Sequence, residues 1–85
     1  MEIKGVVKEL TLAVVARQDL CSDPYAAADD VLTTYNILLV NLEDASVSQD
    51  ALQLAVSAIR KPEVDLGDPP ALGAEKIYRR IFDKI

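Results

Sequence analysis

Apolar residues recur at steps of three and four along four segments of this chain, and the recurrence breaks between them at Pro, Gly, Ser and Asp. That period is helical; a half-buried strand would alternate instead. Residues 2–18 form the first predicted helix. Ile3, Val6, Val7, Leu10 and Val14 mark its stripe, with Leu12 and Val15 widening it. Gly5 weakens the opening turn by roughly 1 kcal/mol relative to Ala.

Residues 24–44 form the second. Asp19 to Asp23 is a turn, and Ser22 or Asp23 supplies an acceptor for a free backbone N–H of the helix that follows. Pro24 takes the first helical position, where its missing N–H costs nothing. The third helix is expected over 47–60, with Ser46 and Gln49 in the spacing of a capping box. Val47, Ala51, Leu54, Ala55, Ala58 and Ile59 share its face; Arg60 and Lys61 suit the negative end of its dipole, and Pro62 stops it.

Residues 62–70, PEVDLGDPP, read as a linker, with Val64 and Leu66 as an apolar latch onto the rest. The fourth helix, 71–84, has Asp68 as a candidate cap. It carries Ala74, Ile77, Tyr78, Ile81, Phe82 and Ile85 on one face and Lys76, Arg79, Arg80, Asp83 and Lys84 on the other. The expected fold is all-α: a small four-helix bundle in one domain, its last helix joined by a Pro-rich linker and free to dock in cis or on a neighbour.

The stretch Val31–Leu42 stands out because its 12 residues carry no charge. It is too short to span a bilayer, which takes roughly 20 residues. On a helix, Ala28, Val31, Leu32, Tyr35, Leu38, Leu39 and Leu42 fall on one broad face. Ile37 and Val40 point away from it, with Thr33 beside Val40. A helix apolar on two sides is usually buried on two sides. Either it runs through the middle of the bundle, or its second face meets another chain. The expected partner-surface residues are therefore Ile37, Val40 and Thr33, together with Asp29 and Asp30 on the polar side of the same helix.

Composition narrows the chemistry. At 85 residues the core is small, so stability has to come from staples, metal, efficient packing or association. One cysteine, Cys21, forms no internal disulfide, and without His a zinc site is not expected. Cys21 is expected to be a reduced thiol, structural or incidental. The first turns mix Glu2, Lys4, Lys8 and Glu9, unlike a signal peptide, so a cytoplasmic chain is expected.

The net charge is −5, unevenly spread. Between Arg17 and Arg60 lie Asp19, Asp23, Asp29, Asp30, Glu43, Asp44 and Asp50 and no cation. Phosphate neutralisation drives nucleic-acid binding, so an acidic body argues against it. Such a body suits a basic protein partner, although solubility alone also explains it.

Catalytic candidates are few. No His is present to serve as a base or to activate Cys21. Asp29 with Asp30, and Glu43 with Asp44, are sequence neighbours that diverge by about 100° on a helix. Asp44, Ser46, Ser48 and Asp50 alternate like the first ligands of a calcium loop. The sixth and twelfth positions, however, hold Gln49 and Ala55 where Gly and Glu are needed. Gly5, Gly67 and Gly73 are isolated, so there is no phosphate loop.

No enzyme activity, metal or cofactor is expected. The leading expectation is a non-catalytic protein–protein interaction module that self-associates through helical faces as a homo-oligomer, without direct contact with nucleic acid or membrane. An acidic inhibitor or adaptor filling a basic groove of a nucleic-acid enzyme is the second. A small-ligand bundle with Tyr25, Tyr35 or Tyr78 facing a cavity is the third.

Overall fold

In the computed structural model, which describes residues 1–85, the chain forms four helices and no strand: α1 (Ile3–Val15), α2 (Pro24–Leu42), α3 (Gln49–Ile59) and α4 (Pro70–Lys84). The all-α bundle expected from the periodicity is present. None of the helices is long and apolar enough to cross a membrane.

The helices at the centre are α1 and α4, not α2. Each touches all three others, whereas α2 touches only α1 and α4 and makes no contact with α3. Around the bundle the order is α1, α2, α4, α3, with α2 and α3 at opposite corners. Val6, Val7, Leu10 and Val14 of α1 are completely buried and meet Leu38 and Leu42 of α2, Ala51, Ala55 and Ile59 of α3, and Ala74 and Tyr78 of α4 in one core. The expectation of α2 running through the middle is therefore corrected. Only Thr34, Leu38 and Leu42 of its 19 residues are buried.

Helix ends depart from the sequence expectation for local reasons. α1 stops at Val15 because the chain tightens: the Arg17 and Gln18 amides donate to Val14 and Val15 oxygens, three residues back. Arg17 is needed elsewhere. Its guanidinium donates to the carbonyl oxygens of Ile59 (3.1 Å), Pro62 (3.3 Å) and Val64 (2.6 Å). It thus caps the C-terminus of α3 and holds the linker at the same time. α2 ends at Leu42, and Arg79 donates to the Asn41 oxygen at 2.6 Å.

α3 starts two residues later than expected, and its cap is Ser48, not Ser46. The Ser48 Oγ accepts from the Ala51 amide at 3.1 Å. Tyr78 explains the shift. Its hydroxyl donates to the Ser46 oxygen (2.8 Å) and accepts from the Ser48 amide (3.1 Å), fixing that strip of backbone in an extended form. α4 has no side-chain cap. Pro69 occupies the capping position and Asp68 does not serve.

The linker folds back as an apolar latch. Leu66 is buried and Val64 packs against the core. Gly67, at φ +82, turns the chain and donates its N–H to Asp65 Oδ1. Gly73 lets α4 pass against the Leu66 carbonyl, where a Cβ would collide with backbone. With Ala71, Ala74 and Tyr78 buried, α4 docks on its own bundle.

Candidate interaction surface

α2 begins with a well-made N-terminus. Asp23 Oδ2 accepts from the Ala26 amide at 3.1 Å, and Pro24 follows at the first helical position. From there Tyr25, Ala28, Leu32, Tyr35, Leu39 and Leu42 recur at steps of 3, 4, 3, 4 and 3. A seven-residue repeat on a helix of 3.6 residues per turn drifts about 20° per heptad. The stripe accordingly winds from solvent to core. Tyr25 is 83% exposed and Leu32 53% exposed; Tyr35 and Leu39 are half-buried against the core, and Leu42 is fully buried. Its lower end is covered by the chain itself and its upper end is bare.

Along this stripe, bareness is concentrated in the first half of α2. No residue from Pro24 to Thr33 is buried. Length explains this. At 1.5 Å per residue, α2 is about 28 Å long and α1 only about 20 Å, so α1 cannot line the whole of its neighbour. The electrostatic setting is one-sided as well. Asp19, Asp23, Asp29, Asp30, Glu43, Asp44 and Asp50 are all exposed. Of these only Asp44 meets a cation, at 3.4 Å from Arg79.

The residues expected to form a partner surface are divided by the structure. Val40 is 68% exposed, and Thr33 and Asp29 are exposed beside it on the outer side of α2. Ile37 is half-buried and packs against the core. With Asp30, Thr33 and Thr34, Ile37 lines an open groove of about 370 Å³ that Gln18, Asp19, Leu20, Pro69 and Pro70 complete; Val40 and Asp29 lie outside it. The Thr33 hydroxyl is already engaged, donating to the Asp29 backbone oxygen at 2.8 Å.

Tyr25 and Leu32 supply most of the bare apolar surface of the first half. Leu32 belongs to the face that the sequence assigns to the interior, and Tyr25 enters only as a possible ligand contact. The 3-4-3-4 spacing starting at Tyr25 was the signal that could have singled out this edge.

Other places are chemically quiet. No group of three or more His, Cys, Asp or Glu side chains is close enough to hold a metal ion. The Ser46 oxygen and Ser48 hydroxyl of the alternating acidic run are occupied by Tyr78 and Ala51. A shallow cleft of about 260 Å³ lies beside Tyr78, Arg79 and Phe82. Two of its polar side chains are already engaged: the Tyr78 hydroxyl with the 46–48 backbone, and Arg79 with Glu75 (3.2 Å), Asp44 and Asn41. Tyr25 is in solvent and Tyr35 packs against the core, so the three tyrosines share no cavity. Cys21 is exposed in the loop before α2 and takes no part in the core.

Comparison with known proteins returns nothing to set beside this surface: no family model, no curated protein and no solved structure matches the chain.

Proposed function

We propose that this chain is a non-catalytic protein–protein interaction module that takes another protein chain on the outer face of α2. The observation that carries this reading is the heptad-spaced stripe left bare at Tyr25 and Leu32. It lies on the longest helix of a chain with little core to spare. Apolar side chains scattered singly are ordinary; a row at helical spacing is the form in which one helix receives another.

Two occupants satisfy that face. A second copy gives self-association. A different, basic chain gives an acidic adaptor or inhibitor, a reading favoured by the seven exposed carboxylates. The absence of His and the separation of neighbouring carboxylates on α2 support a role without catalysis.

A photo-reactive residue at position 32, compared with one at the exposed Gln53 of α3, tests the reading in the cells that make the protein. Covalent adducts should form at 32 and not at 53, and their mass separates a second copy from a different chain. Adducts absent at 32, or equal at both positions, would contradict it.

A further inference from the structure

The proposed reading leaves the occupant of α2 open, and the chemistry around the bare half narrows it. Three properties of the surface bear on this. The first is shape. The chain has no strand and so offers no sheet edge for an extended peptide. The stripe from Tyr25 to Leu39 runs for about four turns, or about 21 Å, at the period of a helix seam. The matching partner is a helix of similar length.

The second is charge. Asp29 lies three residues before Leu32 and four after Tyr25, so it adjoins both on the helix surface. It is exposed and has no cation partner. Asp23 and Asp30 add to the same end of α2. No Lys or Arg occurs between Arg17 and Arg60 to offset them. Lys4 and Lys8 sit in the first turns of α1. Gln18 and Asp19, just past the other end of α1, are the residues that line a groove with Asp30 and Thr33, so these lysines lie toward the end of α1 away from the bare half.

The third property follows from the second. A copy of this chain docking by the same face, as a two-fold dimer does, would bring its own acidic rim to the interface, like charge against like. A partner with Lys or Arg beside its apolar row meets the rim with opposite charge. From these we infer that the outer face of α2 receives an amphipathic helix of a different protein, about four turns long. Its apolar residues are spaced by three and four and flanked by Lys and Arg. This rests on the docking reading above and names the partner it takes.

The test uses the full chain and a displayed library of random helical peptides. Selected peptides are synthesised, and their affinities are measured by titration calorimetry. The selected sequences should be amphipathic and net basic. Raising salt from about 50 mM to about 300 mM should weaken binding several-fold. Asp29→Lys should weaken it about five-fold and Asp30→Lys, on a different edge of the helix, no more than about two-fold. Leu32→Glu should weaken it by more than about ten-fold.

All three positions are exposed, and unchanged circular dichroism of each variant confirms that folding is not the cause. Neutral or acidic selected peptides, salt-independent binding, or indifference to Asp29→Lys would overturn the basic partner while docking on α2 stands. So would a free chain that sediments at micromolar concentration as a dimer dissociated by Leu32→Glu. No enrichment, or binding indifferent to Leu32→Glu, would overturn the docking reading itself.

Discussion

The ten residues Pro24–Thr33 and the nine residues Thr34–Leu42 belong to one uninterrupted helix, yet their surroundings are opposite. The second half places Thr34, Leu38 and Leu42 in the interior, and Arg79 holds its end through the Asn41 oxygen. The first half buries nothing and is secured locally, by the Asp23 side chain on the Ala26 amide. Apolar side chains are present in both. What differs is how far the neighbouring helices reach along each half and which side of it they cover. Hydrophobicity records what a face would gain from cover, and the lengths of adjacent helices decide which part receives it from the same chain.

Substitutions that separate the halves test this contrast, and the largest effect is expected in the covered one. Leu38→Ala removes a fully buried side chain and should cost about 2–5 kcal/mol in urea unfolding. A cost near that of a surface change would mean that the second half is not in the core. Tyr78→Phe leaves the Ser46 oxygen and Ser48 amide without their partner, at about 1–3 kcal/mol; the loop leaving α2 should loosen, read as faster exchange of the α3 N-terminal amides.

Asp23→Ala should cost about 1 kcal/mol of helix stability. Because the first half is held locally, the loss should show as faster exchange of its own amides, leaving those of Leu38 to Leu42 unaltered. The smallest effect belongs to Leu32→Ala, expected within about 0.5 kcal/mol of wild type in the free protein, although the same position governs binding. A large loss of stability there would place Leu32 in the core after all.

Much of this fold was legible in the chain. Four helices, the Asp23–Pro24 start, the Pro62 stop and the Val64–Leu66 latch follow from periodicity and from the backbone limits of proline. What was not legible depended on long-range partners. The start of α3 moved because Tyr78, some thirty residues later, fixes the 46–48 backbone. Nothing near Ser46 announces that. Arg17 looked like the tail of a helix, and three carbonyls of α3 and the linker claimed it.

The surface of α2 was misplaced for a related reason. A first helix expected to run to residue 18 would have been long enough to cover more of α2. The tight turn after Val15 shortened it and left Leu32 outside. Angular position on a helical wheel put Leu32 on the same broad face as Leu38. Leu32 nevertheless lies about 120° from Leu38 around the helix, so angle as well as the reach of α1 separates the covered residue from the bare one.

Amide hydrogen exchange along α2, measured residue by residue in the free chain and with a selected basic helix bound, tests the central claim most directly. The account predicts that the free chain protects the amides of Leu38 to Leu42 through global unfolding, while those of Ala28 to Leu32 exchange through local opening. Binding should then slow exchange in the first half while the second changes little. Equal protection of both halves in the free chain, or slowing that appears on α3 or α4 and not on α2, would contradict it.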